Sequence, residues 1–125
     1  MERLFHIDPE DRTPIYAQLE RSIRFAILTG RLREGDRLPT VRQLAVELRV
    51  NANTVAKVYS QLEREGVIET RRSAGTFVSA HPDEAVRRRD RERELSVLAD
   101  RFLAEAAALG FSLDEVLTHL RNGRS

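Results

Sequence analysis

The sequence predicts an α+β fold that is mostly α-helical. Three segments between residues 14 and 65 repeat their apolar residues with the period of an amphipathic helix. Two short runs rich in β-forming residues, between positions 67 and 79, flank a polar tip and indicate a β-hairpin. Helical periodicity returns between residues 95 and 121. The expected order is helix, short extended piece, helix, tight turn, helix, hairpin and a C-terminal helical region.

Length and composition exclude several classes of protein. A chain of 125 residues suits one ordinary domain, or a small domain with an appendage. No segment approaches the roughly 20 apolar residues of a membrane span, and Met1–Leu4 does not begin a signal peptide. The expected location is therefore the cytoplasm, with no membrane partner. The absence of cysteine excludes disulfides and cysteine-based metal sites.

The first helix is predicted over about residues 14–29. Thr13 is a plausible N-cap, Pro14 suits the first helical position, and Gly30 ends the helix. The apolar stripe comprises Ile15, Leu19, Ile23 and Ile27. Residues 1–13 are expected to form a short strand or an arm.

The second helix is short and is predicted over about residues 40–47. A turn at Gly35-Asp36 and an extended piece at Arg37-Leu38 precede it. Thr40-x-x-Gln43 has the spacing of a capping box, in which two side chains satisfy the free N–H groups at a helix start. Its buried stripe is Val41, Leu44, Ala45 and Leu48.

The third helix is predicted over about residues 52–65. A tight turn at Arg49-Val50 precedes it, Asn51 is its N-cap and Gly66 ends it. The apolar face is expected to contain Val55, Val58, Tyr59 and Leu62, so that Tyr59 belongs to the core. The hairpin follows, with strands at 67–70 and 76–79 and a tip at 71–75.

These elements together predict a winged helix-turn-helix domain over residues 1–79. In such a domain the third helix projects its N-terminus into the major groove of DNA, and the hairpin wing reaches the neighbouring backbone or minor groove. Short polar side chains at the start of the third helix are suited to base edges, and basic ones to phosphate. The candidate DNA-binding residues are Arg42, Asn51, Asn53, Thr54, Lys57, Arg71 and Arg72. Asn51 could serve as an N-cap alone, Thr54 as a capping partner alone, and one of the two wing arginines as strand surface.

Four motifs resemble the DNA-binding domain of the GntR family of transcription factors over about residues 9–79. The resemblance implies DNA contacts at Arg42, Asn51, Ala52, Asn53, Thr54, Lys57 and the wing tip near Gly75. The stretch from Asn51 to Tyr59 is especially similar to the YtrA subfamily. The motifs are Leu38-Pro39-Thr40-Val41-Arg42-Gln43-Leu44-Ala45, Val50-Asn51-Ala52-Asn53-Thr54-Val55, Leu62-Glu63-x-x-Gly66 and Gly75-Thr76-Phe77-Val78.

Two positions depart from the family pattern. Arg49 stands in the turn before the third helix, at a position where relatives usually have glycine. Ser73 stands in the wing, at a second position where relatives usually have glycine. If the turn needs a positive φ, arginine there costs about 1 kcal/mol of strain. The side chain of Arg49 would then approach DNA, which adds it to the candidate residues.

Residues 80–125 are expected to form a two-helix dimerisation module after a boundary near Pro82. The charged run 87–94 is interpreted as a solvated helix or a semi-flexible connector rather than a second nucleic-acid patch. Ser112-x-x-Glu115 is a second capping box. Two helices cannot easily enclose the ~300 Å³ of a typical ligand pocket, but they can bury their stripes on each other or across a subunit boundary. We name these dimerisation residues the C-terminal apolar face: Leu95, Leu98, Phe102, Leu109, Leu113, Val116, Leu117 and Leu120.

The function expected from these features is a homodimeric, sequence-specific regulator, in this subfamily most often a repressor, that binds double-stranded DNA at a palindromic operator. A small-molecule effector bound at the C-terminal helices or at the dimer interface is an alternative. A winged helix used only for protein–protein contact is another. The scattered histidines and the absence of catalytic glycine patterns argue against an enzyme, and neither a cofactor nor a metal is expected.

Overall fold

The computed structural model describes residues 4–123 and contains five helices and one hairpin in these residues. The elements are α1 (Ile15–Leu28), α2 (Val41–Leu48), α3 (Ala52–Arg64), β1 (Ile68–Arg71), β2 (Gly75–Val78), α4 (Glu84–Ala108) and α5 (Leu113–Asn122). Two compact units result, Met1–Asp90 and Arg91–Ser125. The first unit thus includes the beginning of α4. The assignment of DNA binding to 1–79 and of dimerisation to 80–125 stays a prediction.

One hydrophobic core holds the first unit together. The apolar stripes of α1, α2 and α3 bury their side chains here, together with Leu38 and the inward residues of the hairpin. Phe5 is also buried, so residues 4–13 form an arm that packs on the core, with no strand among them. The core includes Leu19, Ile23, Leu44, Leu48, Val55, Val58, Leu62, Ile68 and Val78.

The boundaries of α1, α2 and α3 agree with the predicted ones to within one residue, and two capping boxes are confirmed. The Thr40 hydroxyl accepts from the Gln43 N–H and the Ser112 hydroxyl accepts from the Glu115 N–H, each with the reciprocal side-chain bond. The N-cap predicted at Thr13 is wrong. Pro14 itself occupies the cap position of α1 without a side-chain cap, because its extended ψ of 146° places the helix start at Ile15.

The wing, residues 68–78, is an antiparallel hairpin in which Ile68 lies opposite Val78 and Arg71 lies opposite Gly75. The strands extend further toward the tip than predicted, so that Gly75 lies in β2 and the turn is 72–74. A third extended segment pairs with β2 on its other edge. The Leu38 N–H donates to the Thr76 carbonyl at 2.8 Å, and Arg37 forms a bridge with Phe77.

The charged run predicted as a solvated helix or connector is part of one continuous helix, α4, which begins at Glu84. Its residue Asp90 is buried in the first unit, so the solvated interpretation is wrong at this position. None of the helices within residues 4–123 combines the length and the apolar character that a membrane crossing requires.

Candidate nucleic-acid interface

The N-terminal turn of α3 presents a short polar surface. The Asn51 side-chain oxygen accepts from the Asn53 N–H at 2.7 Å, which confirms the predicted N-cap. This bond engages the oxygen of the exposed Asn51 side chain and not its amide NH2. Ala52 and Asn53 are exposed, and Thr54 is half-buried. One helical turn after Asn53, Lys57 is exposed on the same side of the helix.

The opposite face of α3 fixes the direction of this surface. Val55, Val58 and Leu62 are buried in the core, as predicted. Tyr59 is buried as well, and its hydroxyl donates to the Pro39 carbonyl at 2.8 Å. Burial raises the pKa of the Tyr59 phenol well above its ordinary value, so the hydroxyl stays protonated and continues to donate. This bond ties α3 to the residues that precede α2.

The turn between α2 and α3 is built on a left-handed residue. Arg49 has φ 58° and ψ 47°, and its N–H caps the carbonyls at the end of α2. Such a conformation favours glycine, because a Cβ crowds the backbone there. The turn therefore needs the positive φ that glycine supplies in relatives, and the exposed arginine adopts it. Arg42 is exposed in the first turn of α2.

The two wing arginines are not equivalent. The Arg71 guanidinium lies 4.3 Å from the centroid of the Phe77 ring and pairs with Glu69 at 2.8 Å. Arg72 lies in the exposed turn. Within residues 4–123, its side chain forms no hydrogen bond and no ion pair. Ser73 in the same turn has φ 64°, the second non-glycine residue with a positive φ in the described chain. Arg71 is therefore the strand-surface arginine, and Arg72 is the one free to reach a partner.

A buried ion-pair cluster, which the sequence analysis did not find, anchors the other end of α3. Arg24 of α1 pairs with Asp90 of α4 at 2.8 Å and with Glu65, just after α3, at 3.1 Å. The side chains of Arg24 and Asp90 are each 6% exposed. Arg89 also binds Glu65.

The pKa of Glu65 reflects this cluster. Burial alone would raise the pKa of the Glu65 carboxyl, but hydrogen bonds from Arg89 and Gln61 and the charge of Arg24 outweigh it and lower the pKa to about 2. The only sequence signal of the cluster was an arginine beside the apolar stripe of α1.

The C-terminal apolar face is largely uncovered in the single chain. Seven of its eight residues are between 39% and 77% exposed, and Val116 is 7% exposed. A groove of about 760 Å³ lies within the second unit, between the end of α4 and α5. Apolar side chains such as Phe102, Leu109 and Phe111 line it, together with the carboxylates of Glu105, Asp114 and Glu115.

The family model for bacterial regulatory proteins of the gntR family matches residues 15–78. Among curated proteins, the transcriptional repressor YtrA of Bacillus subtilis is 47% identical over 76 residues, which cover 61% of this chain and 58% of YtrA. An uncharacterized regulator of the same organism, YhcF, is 34% identical over 86% of this chain and 88% of its own length.

Solved structures agree with this assignment. A GntR-family regulator from Listeria monocytogenes superposes with a TM-score of 0.67 at 29% identity, over 90% of this chain and 97% of that one. YtrA from Sulfolobus acidocaldarius gives 0.59 at 36% identity, over 75% and 99%. The DNA-binding domain of AraR, solved in complex with the operator ORE1, gives 0.51 at 27% identity, over 60% and 92%. The family model matches the winged helix, and relatives such as YhcF align over most of the chain. This chain therefore belongs to the GntR family of bacterial regulatory proteins.

Proposed function

We propose that this protein regulates transcription as a repressor by binding a specific DNA operator through the N-terminal turn of α3. The observation that carries the proposal is the exposed surface of Asn51, Asn53 and Lys57 on a helix whose opposite face and C-terminal end are anchored. A rigid helix that projects polar side chains at its N-terminus fits the major groove. AraR is named as bound to its operator and YtrA as a repressor, which supports the same role here.

The proposed contacts divide into two kinds. Asn53 is positioned for base edges, since an asparagine amide pairs bidentately with adenine. The amide NH2 of Asn51 and the half-buried Thr54 lie beside it, and Ala52 is small enough to permit close approach. Arg42, Arg49, Lys57 and Arg72 supply exposed cations for phosphate, while Arg71 contributes less because Glu69 already binds it.

Arg42→Ala tests this division. The variant removes an exposed cation, so binding should weaken by a similar factor on operator and on unrelated DNA, and the salt dependence should lose about one phosphate contact per subunit. Fluorescence anisotropy on both DNAs, between low and physiological salt, measures this. Glu47→Ala, an exposed change on the same helix, is the matched control. Salt-independent or undetectable binding by the parent protein would favour the protein-contact alternative.

We also propose that the C-terminal apolar face joins two copies of the chain into a homodimer. Seven large apolar side chains are exposed on and beside the second half of α4 and α5, and a second copy would remove them from water. A dimer would present two α3 helices about one DNA turn apart, ~34 Å or a multiple of it, on a palindromic operator.

The groove in the second unit supports a second candidate, a small-molecule effector that modulates the regulator. Its apolar lining and its rim of carboxylates favour an apolar ligand that is neutral or cationic. A thermal-shift screen of such compounds tests this. Phe111→Ala, a groove residue outside the C-terminal apolar face, should reduce any shift while leaving the oligomeric state unchanged. If no compound shifts the melting temperature, or if Phe111→Ala leaves every shift unchanged, the effector proposal is contradicted.

A further inference from the structure

Arg37 lies on the wing although it precedes α2 in sequence. Its segment pairs along β2: the Val78 N–H donates to the Asp36 carbonyl and the Leu38 N–H donates to the Thr76 carbonyl, both at 2.8 Å. Arg37 itself bridges Phe77, which lies opposite Glu69 on β1. Residues in one row of a sheet point to the same face. Arg37 therefore shares a face with Glu69 and Phe77, and the pair Arg71–Gly75 lies on that face too.

We name this surface the outer wing face: Arg37, Glu69, Arg71, Gly75 and Phe77. It is the side of the sheet opposite the core, since the alternate residues Leu38, Ile68 and Val78 are buried. Arg71 lies over the Phe77 ring on this face.

The Arg37 guanidinium packs beside Gly75. A Cβ added to Gly75 would lie 3.0 Å from Arg37 Nε and 3.3 Å from its Nη2, so a side chain at position 75 would push the guanidinium aside by a few tenths of an ångström. Gly75 also has φ 121°, which glycine tolerates best. The guanidinium therefore lies beside the wing turn, over the Cα of Gly75.

Within residues 4–123, the Arg37 guanidinium forms no ion pair with the nearby carboxylates. Asp36 accepts from the Arg33 N–H at 2.8 Å, Glu69 is bound by Arg71, and Glu34 lies 3.8 Å from Arg87. The outer wing face and the adjacent Arg72 carry three arginines and one glutamate, which leaves a local excess of positive charge.

From these contacts we propose that Arg37 is a further DNA-binding residue, which together with Arg72 binds a backbone phosphate beside the groove occupied by α3. The proposal rests on the DNA-binding function proposed above. A planar guanidinium presents a fork of donors that matches phosphate oxygens. A side chain that already packs beside the wing turn loses less rotamer freedom on binding. Because phosphate carries no sequence information, Arg37 should contribute equally to all DNA.

Arg37→Gln tests the proposal by removing the charge at similar length. We expect binding about ten-fold weaker on operator and on unrelated DNA alike, with the salt dependence reduced by about one contact per subunit. Arg64 is an exposed arginine about 16 Å along α3 from Asn53. Arg64→Gln should therefore leave the affinity and the salt dependence unchanged. Circular dichroism and thermal melting verify that each variant is folded.

The outcomes separate the two proposals. If the parent protein binds operator with steep salt dependence and Arg37→Gln binds equally well, the role of Arg37 is wrong and the proposed function stands. A loss confined to one base position would contradict the phosphate assignment. If the parent does not bind DNA, the proposed function itself fails.

A double-mutant cycle tests whether Gly75 positions the Arg37 side chain. Gly75→Ala should weaken DNA binding by displacing the guanidinium, and the loss should be smaller when Arg37 is already alanine. The backbone strain at φ 121° is the same in both backgrounds and cancels from the comparison. Additive losses would show that Gly75 does not position Arg37.

Discussion

At the scale of single residues, Arg49 and Ser73 adopt a left-handed backbone conformation that favours glycine. Both have positive φ, 58° and 64°. The departures from the family pattern therefore leave the turn geometry in place and put strain into the chain. A residue that keeps such strain at an exposed turn beside the proposed reading surface is a candidate for a functional side chain.

Arg49→Gly should raise the free energy of unfolding by about 1 kcal/mol, because glycine relieves the left-handed strain. The same variant should weaken DNA binding if the arginine side chain contacts DNA. Urea denaturation measures the first effect, and anisotropy on operator DNA measures the second. Ser73→Gly is the matched control: it relieves similar strain without removing a charge. A destabilised Arg49→Gly protein would contradict the strain argument.

At the scale of elements, α3 is fixed at its middle and at its C-terminal end by interactions of different kinds. The Tyr59 hydroxyl holds it to the residues before α2, and the ion pairs of Glu65 hold its C-terminal end to α1 and to the start of α4. The helix can therefore present its N-terminal turn without moving against its neighbours.

Acid should weaken the second anchor. The pKa of Glu65 in the folded protein, about 2, lies below the value of 4.5 for a free glutamate, so the folded state favours the ionised carboxyl. Its contribution to stability is present above about pH 4.5 and is lost as the pH falls toward 2. The difference in free energy of unfolding between parent and Glu65→Gln should shrink over this range in urea titrations. Glu63→Gln, exposed on the same helix, serves as control. A difference that does not vary with pH would refute the assignment.

Periodicity predicts α1 to α3 to within one residue and the capping boxes at Thr40 and Ser112 mark the starts of α2 and α5, because these are local signals. Contacts between distant residues leave no such signal. The pair Arg24–Asp90 spans 66 positions, and Asp90 lies in a charged run typical of a solvated helix. The pairing of Arg37 with the wing was equally hidden. Candidate site residues can therefore be predicted where they are consecutive, around Asn51, and not where a distant segment such as the one with Arg37 returns to the wing.

At the scale of the whole molecule, the formal net charge of +1 offers little attraction to DNA. We propose that affinity comes instead from several local cations and from a second copy of the chain. In the proposed dimer, α3 would supply specificity, and the second copy would double the contact area.

Leu117→Glu should convert the dimer to a monomer, because it places a charge in the proposed interface. Leu117 is exposed in the single chain, so the fold of the monomer should survive. Sedimentation at micromolar concentration measures the change, and operator affinity should fall with it. Ala104→Glu, exposed on the side of α4 away from the apolar stripe, should remain dimeric. A parent protein that is monomeric at this concentration with full operator affinity would contradict the dimer.

Selection of bound sequences from randomised DNA, with the parent and Asn53→Ala in parallel, tests the central claim most directly. The parent should select a palindrome whose half-sites are separated by about one helical turn, ~10 base pairs, or a multiple. Asn53→Ala should lose about 1–3 kcal/mol of discrimination at one base of each half-site and keep the remainder. An unchanged preference in Asn53→Ala, or no preference in the parent, would contradict base reading by α3.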